Sequence, residues 1–315
     1  VNKNMITAVV LAAIMMSTVQ VYASAGPIKI TGSTKTGYER TEDNEYKSKS
    51  EIKVYMTSEL DDRTTVGLDL KFKNSNNNTA NSESNSITLY DVWVESKLNN
   101  TMALRLGSQP IDIGKGLWMS ANGVTGAMLS AKLNKANLIR VFAGRDQQED
   151  TVYDAKSRTK INFTSEIQYL AWDNAFEKGI GGVYFGKQDK DKYVAVHGKY
   201  EFASQTTVSS EYINNNHSKT KAYVVELENG STKKVGDFKY TLSYMDADAG
   251  IFRDANYTDY DDQYTENGFK GVGAAISYKV SKAGTLTFEK WWGEKTAAAD
   301  HGTFICSSLK LSTKF

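Results

Sequence analysis

This 315-residue chain has little cysteine, proline or histidine: one, two and three residues. The lone Cys306 excludes an internal disulfide framework and any cysteine-pair metal site. His197, His217 and His301 are widely spaced, and each reads as a solvated residue or one inside a lumen. There is no Gly-Xaa-Ser-Xaa-Gly elbow, no His-Glu-Xaa-Xaa-His zinc helix, and no glycine-rich phosphate loop followed by Lys and Ser or Thr. The expectation is a protein that is not an enzyme and carries neither metal nor cofactor. Charge of one sign is lacking too: 38 basic residues stand against 37 acidic, and the excess of one falls on Lys3. A nucleic-acid partner would call for a basic excess, so none is expected. After residue 25 no segment approaches 18 apolar residues, which excludes a transmembrane helix there.

The first 25 residues read as a segment apart. Lys3 supplies a positive start, Met5 to Met16 is apolar except for Thr7, and Ala23-Ser24-Ala25 offers a small-x-small cleavage pattern before Gly26-Pro27. These are the parts of a secretory signal peptide. The apolar stretch is short for a helical span, which needs about 20 residues. The expected organisation is a signal peptide over 1–25 and one domain over 26–315. An exported chain without an apolar helix can still enter a membrane as a closed barrel, in which each crossing takes only about 9–11 residues and every backbone group pairs between strands.

What is plentiful is alternation. Ile52, Val54 and Met56 face one way, and Glu51, Lys53, Tyr55, Thr57 and Glu59 the other; Val66, Leu68, Leu70 and Phe72 alternate with Gly67, Asp69, Lys71 and Lys73. Tyr, Thr, Val, Ser and Gly abound, and both prolines avoid strand centres. Strands are predicted at 28–38, 51–59, 66–73, 84–96, 100–108, 123–132, 136–145, 160–172, 178–186, 191–201, 204–212, 219–227, 235–245, 269–279, 284–292 and 303–315, which makes sixteen; fourteen or eighteen stay open. Short turns at 59–62, 97–100, 132–136, 201–204 and 280–284 interleave with longer polar connections at 39–49, 73–84, 109–122, 146–159, 212–218 and 246–268. The connections at 187–190 and 228–234 blur that rhythm. Short on one side and long on the other is the asymmetry of transmembrane barrels. Rings cluster near predicted strand ends, with Tyr90, Tyr212, Tyr244, Trp291, Trp292 and Phe315 as candidates for interfacial girdles. Sequence alone also leaves open a soluble secreted β-sandwich.

The chain ends on Ile305, Ser307, Leu309, Leu311, Thr313 and Phe315, with Cys306, Ser308, Lys310, Ser312 and Lys314 between them. This resembles the closing strand of a bacterial outer-membrane barrel, whose final aromatic is read by the barrel assembly machinery. A second resemblance lies in residues 87–145. Asp91-Val-Trp-Val-Glu95 precedes Gly107-Ser108-Gln109, and Asn122-Gly123 leads into the next strand. This is similar to the general porins of Gram-negative bacteria, whose fifth strand often carries Gly-Arg-Gln and whose third external loop folds inward. Ser108 stands where Arg is usual, and the acidic Pro-Glu-Phe-Gly-Gly loop tip is missing. The resemblance implies an all-β transmembrane antiparallel barrel of about 16 strands with an inward-folded third external loop. It also implies an outer-membrane location, contact with outer-membrane lipid, a homotrimer, recognition of Phe315 by the assembly machinery, and passage of small hydrophilic solutes and ions.

A porin needs a wide wet hole with a narrow charged waist. On the loop, Asp112 and Lys115 are the candidates, with Gly114 and Gly116 letting the backbone turn inward. On the wall the candidates are Lys53, Lys71, Arg105 and Arg140, with Arg105 and Arg140 as basic groups opposing Asp112. Trp118 is expected to pin the loop by packing. The mixed charge predicts weak ion selectivity of undetermined sign. A substrate-selective channel for sugars or organic anions, and a surface-binding barrel with little transport, remain as alternatives.

Overall fold

The computed structural model describes residues 26–41, 46–77, 82–146, 151–154, 159–162, 165–251, 258–260, 268–297 and 302–315. The expected leader therefore lies outside the described residues. The strands are β1 (Lys29–Thr41), β2 (Tyr46–Glu59), β3 (Thr64–Asn77), β4 (Ser82–Lys97), β5 (Met102–Asp112), β6 (Ser120–Lys132), β7 (Asn137–Asp146), β8 (Thr151–Asp154) and β9 (Thr159–Asn162). They continue as β10 (Glu166–Phe176), β11 (Gly179–Gln188), β12 (Asp191–Ala203), β13 (Thr206–Asn215), β14 (Thr220–Gly230), β15 (Phe238–Ala247), β16 (Phe269–Tyr278), β17 (Gly284–Glu294) and β18 (Thr303–Lys314). Sixteen of them close one antiparallel barrel, and β8 and β9 form a separate hairpin between β7 and β10. A sandwich of two sheets is thereby excluded.

Each predicted strand has a counterpart in the barrel, and the largest shift is the eighth, expected at 160–172 and found at Glu166–Phe176. The predicted long connections 39–49 and 73–84 are mostly strand. Asn74 to Asn77 stay in β3 because their partners, Ser82 to Asn85 on β4, continue the register set lower down by Phe72 and Ile87. A polar run with poor strand propensity is carried by a pairing already fixed elsewhere.

Alternation sorts the side chains. Ile52, Val94, Leu106, Leu170, Leu242 and Leu309 are all more than a third exposed on the outer face. The inner face carries Lys35, Glu51, Lys71, Arg105, Arg140, Glu226 and their like, in register across neighbouring strands. An apolar belt of this extent far exceeds the patches that water-facing surfaces carry. Of the expected girdle residues, Trp292, Tyr212 and Phe315 are exposed on the outer face. Trp291 differs: it points inward, is buried, and packs edge-on against Phe269 at 5.7 Å. Adjacent residues of a strand face opposite sides, so only one of the two tryptophans can meet the exterior.

The barrel closes where β18 meets β1, and Phe315 takes part. Its N–H donates to the Gly32 carbonyl at 3.0 Å, and the Gly32 N–H donates to the Phe315 carbonyl at 2.9 Å. The Phe315 ring covers Gly32 so closely that a Cβ there would overlap it. Gly32→Val is expected to loosen closure by about 1–3 kcal/mol, the usual cost of overpacking. The check is the temperature at which the compact barrel loses its fast mobility in detergent electrophoresis.

Candidate functional site

One hairpin tip leaves the wall. β4 pairs with β5 only as far as Val92 and Ser108, and β7 pairs with β6 only from Val124 onward. Between those limits β5 and β6 pair with each other alone. Pro110, which has no N–H to give, falls at the irregularity between Gln109 and Ile111. Ser108 Oγ donates to the Tyr90 carbonyl at 2.8 Å, and the Gly123 N–H donates to Asp91 Oδ1 at 2.8 Å, so β4 holds both legs of the hairpin where they part from it.

The connection 113–119 between β5 and β6 contacts the inward faces of β11 to β14. Ile113, Leu117, Trp118 and Met119 are at most 1 % exposed. Gly114 and Gly116 have φ of 64° and 78°, a region that side-chain-bearing residues seldom occupy. Trp118 stacks on Tyr184 at 5.7 Å and tilts onto Tyr193 at 5.0 Å, and its ring lies over Gly186, where a Cβ would collide with it. Its indole N–H donates to Gln188 Oε1 at 3.4 Å. Trp118 is thus buried among rings, with one hydrogen bond from its indole.

Glu211, on β13 and 1 % exposed, is the strongest polar anchor. Its Oε2 accepts the Lys115 N–H at 2.5 Å and the Leu117 N–H at 3.3 Å, while its Oε1 accepts from the Tyr184 hydroxyl. Lys115 Nζ reaches Glu226 Oε1 on β14 at 2.8 Å. Arg140 donates through Nη1 to the Asp112 carbonyl at 2.8 Å and through Nη2 to Asp173 Oδ2 at 2.8 Å. His197 Nε2 lies 3.0 Å from Asp173 Oδ1. Arg140 thus sits beside Asp112 and holds its backbone, while its charge meets Asp173.

A second connection reaches the same place. The Asp259 N–H donates to the Gly116 carbonyl at 3.0 Å, and Thr258 Oγ1 donates to the same carbonyl at 3.1 Å. Tyr260 packs against the buried apolar cluster of the interior, which includes Trp118, and burial pushes its phenol well above the usual range. Tyr257 and Tyr264, grouped with Tyr260 on sequence, lie outside the described residues.

The remaining candidates are elsewhere on the wall. Arg105 Nη2 pairs with Glu95 at 2.7 Å, and its guanidinium lies 4.3 Å from the Trp93 ring. Lys71 meets Glu51 at 2.7 Å and the Tyr90 ring at 5.0 Å, with Lys53 at 3.6 Å from Glu51. Tyr90 can turn to Lys71 because it is the extra residue where the β3–β4 register shifts. Four of the candidates, Asp112, Lys115, Arg140 and Lys71, divide between two cavities. One, of about 370 Å³, is lined by Asp112, Lys115, Arg140, Asp173, Glu226 and Glu228 among others. The other, of about 340 Å³, includes Lys71 and Glu51 in its lining, with Asp259 and Tyr260 at its edge. Arg105 and Lys53 line neither.

Sequence reasoning missed Glu211, Tyr184, the Asp173–His197 pair and the 258–260 contact. One signal was available. In Ile167-Gln-Tyr-Leu-Ala-Trp172 apolar residues fall on both faces, unlike in β2. A barrel strand apolar on its inner face needs an inner cover, and Ile167, Tyr169 and Ala171 belong to the cluster that includes Trp118.

Solved structures share this architecture. A mutant of the Rh. blastica porin superposes with a TM-score of 0.62, covering 92 % of this chain and 100 % of that one, at 11 % identity. The low-pH structure of Pseudomonas putida OprB gives 0.63, covering 91 % and 92 %, at 8 % identity. At such identities the likeness establishes a common fold, a sixteen-stranded antiparallel barrel of the kind seen in bacterial porins. No protein-family model and no curated protein sequence matches the chain.

Proposed function

We propose that this protein is an outer-membrane channel through which small hydrophilic solutes and ions diffuse passively. The observation that carries this reading is a closed sixteen-stranded barrel, apolar outside and charged within, whose charges line internal cavities. Sixteen strands leave room for an aqueous lumen. In water each exposed Leu or Phe would forgo roughly 1.5–3 kcal/mol, whereas a hydrocarbon exterior removes that cost.

In this reading the connection 113–119 is the inward-folded third external loop, and it narrows the lumen. Its contacts with Tyr184, Tyr193, Glu211 and Glu226 support that role. Asp112, Lys115 and Arg140 border the waist on the loop side, Lys53, Lys71 and Arg105 belong to the wall, and Trp118 fixes the loop in place. The sequence resemblance extends the proposal to a homotrimer, to an exported precursor, and to recognition of Phe315 during assembly.

Single-channel recording of the purified barrel in planar bilayers tests it. Stable current steps are expected, together with uptake of small uncharged sugars that falls off with size in liposome swelling. Silence from folded protein would overturn the channel and move the weight to a surface-binding barrel.

A further inference from the structure

Given the channel proposed above, we infer that it selects for small inorganic and carboxylate anions, which follow a wall of lysines on β18, β1, β2 and β3. On β2 the inward positions run Lys47, Lys49, Glu51, Lys53, at steps of about 7 Å along the strand. The neighbouring strands add to the column. Lys35 of β1 pairs in register with Glu51, which pairs with Lys73 of β3, and Lys53 pairs with Lys71. Lys310 of β18 faces Gly37, which in turn faces Lys49. Seven lysines thus share one inner surface across four adjacent strands.

Which charges stay uncompensated decides the sign. Glu51 is shared by Lys53 and Lys71, and Glu289 lies 3.4 Å from Lys310. Lys35, Lys47 and Lys49 have no carboxylate within 4.0 Å among the described residues. All three line the cavity of about 340 Å³, where six lysines meet four carboxylates. The opposite cavity holds Lys115, Arg140 and Lys199 with four carboxylates. Most of those acids are already engaged: Asp173 by Arg140 and His197, Glu226 by Lys115, and Glu228 by Lys239 with Lys199 at 3.9 Å. On the lysine side Asp259 borders the cavity and Glu39 of β1 stands in register opposite Lys47, so six lysines still outnumber the acids, while Asp112 belongs to the opposite cavity. Asp69 and Asp91, lower on β3 and β4, are 4 % and 2 % exposed and line neither cavity.

Geometry also keeps the two sides apart. The contact between Gly116 and residues 258–259 joins two connections across the interior, and Asp259 and Tyr260 border the lysine cavity. A solute on the lysine side therefore meets the basic column first and the acids of β12 to β14 little. Ammonium groups in a narrow wet space bounded by low-dielectric walls concentrate anions and repel cations.

Reversal potentials under a potassium chloride gradient test this. The unmodified channel is expected to show the sign of chloride preference, and to carry acetate as well. The triple substitution Lys35→Gln, Lys47→Gln, Lys49→Gln removes no ion pair among the described residues, so the barrel should fold and conduct, with the anion-to-cation permeability ratio lowered at least about twofold. Substituting Lys132, Lys178 and Lys279, which lie outside both cavities, should leave the ratio unchanged. Steady current with a cation-signed potential, or a triple variant indistinguishable from the parent, would overturn the selectivity while leaving the channel intact. Absence of current would overturn the channel itself, and the selectivity with it.

Discussion

Glu211→Ala should release the 113–119 connection from the wall, and channel recordings should show it as larger, noisier current steps. One carboxylate accepts the N–H groups of Lys115 and Leu117 and the hydroxyl of Tyr184. Removing it leaves two buried donors, the Leu117 N–H and the Tyr184 hydroxyl, and the part-buried Lys115 N–H without that acceptor, at up to about 1–3 kcal/mol for each buried one. The acceptor is lost from a site that is 1 % exposed in the parent, so the hydrogen bonds are not replaced by another protein group in place. The connection then relaxes by moving toward the lumen centre or out of it. Glu211→Gln separates charge from hydrogen bonding. Its amide oxygen can keep both backbone bonds at the Oε2 position, and its NH₂ can donate to the Tyr184 oxygen. The glutamine variant should therefore record close to the parent. Equal behaviour of parent and alanine variant would show that apolar packing alone holds the connection.

Trp118→Ala should have the other large effect, and this one should appear as local release of the 113–119 connection as well as altered current. The ring is fully enclosed by Tyr184, Tyr193 and Gly186. Truncating a buried tryptophan costs about 3–5 kcal/mol, because the surroundings close the cavity only in part. Most of that cost falls on the docked connection, since the barrel ladders do not depend on the ring. Thermal unfolding of the barrel should shift little, while protease cleavage within 113–119 should appear in the variant only. Gly186→Val attacks the same contact from the wall and should give the same cleavage. Resistance of both variants to protease would refute the pinning role.

These two residues mark how far the sequence could be read. Trp118 was singled out for packing because one tryptophan makes a poor surface for stacking sugars, and its ring lies against Tyr184 and Tyr193. Glu211 was not. On β13 it looks like any lumen-facing acid, since a strand's period of two says which face a side chain takes and nothing about what lies opposite. Its partners, Lys115 and Leu117, are nearly a hundred positions away in the chain. Arg140 was named as a wall cation opposing Asp112. The structure sets it against the Asp112 backbone, with its charge on Asp173, a pairing fixed by the β7–β10 register and by the path of the hairpin tip. Trp291 and Trp292 were grouped as a girdle until strand phase divided them between the two faces.

By itself the sequence determined the strand pattern. Period-two alternation in most segments from residue 28 to 315, the lack of apolar helices after residue 25, and the rhythm of short and long connections point to an antiparallel barrel of about sixteen strands, and closure of β1 on β18 is what excludes a sandwich. These signals are local, and hydrogen-bonded neighbours in an up-and-down barrel are mostly neighbours in sequence. Only the tertiary structure decided what fills the interior. Closure of β1 on β18 sets the lysines of four strands side by side. Departure of the β5–β6 tip from both flanking strands carries Trp118 to β11 and β12. The meeting of residues 116 and 259 lies between a basic cavity and one whose acids are mostly paired. Each is a contact across the barrel, set by curvature and by where pairing stops, and neither quantity is written in the pattern of any single strand.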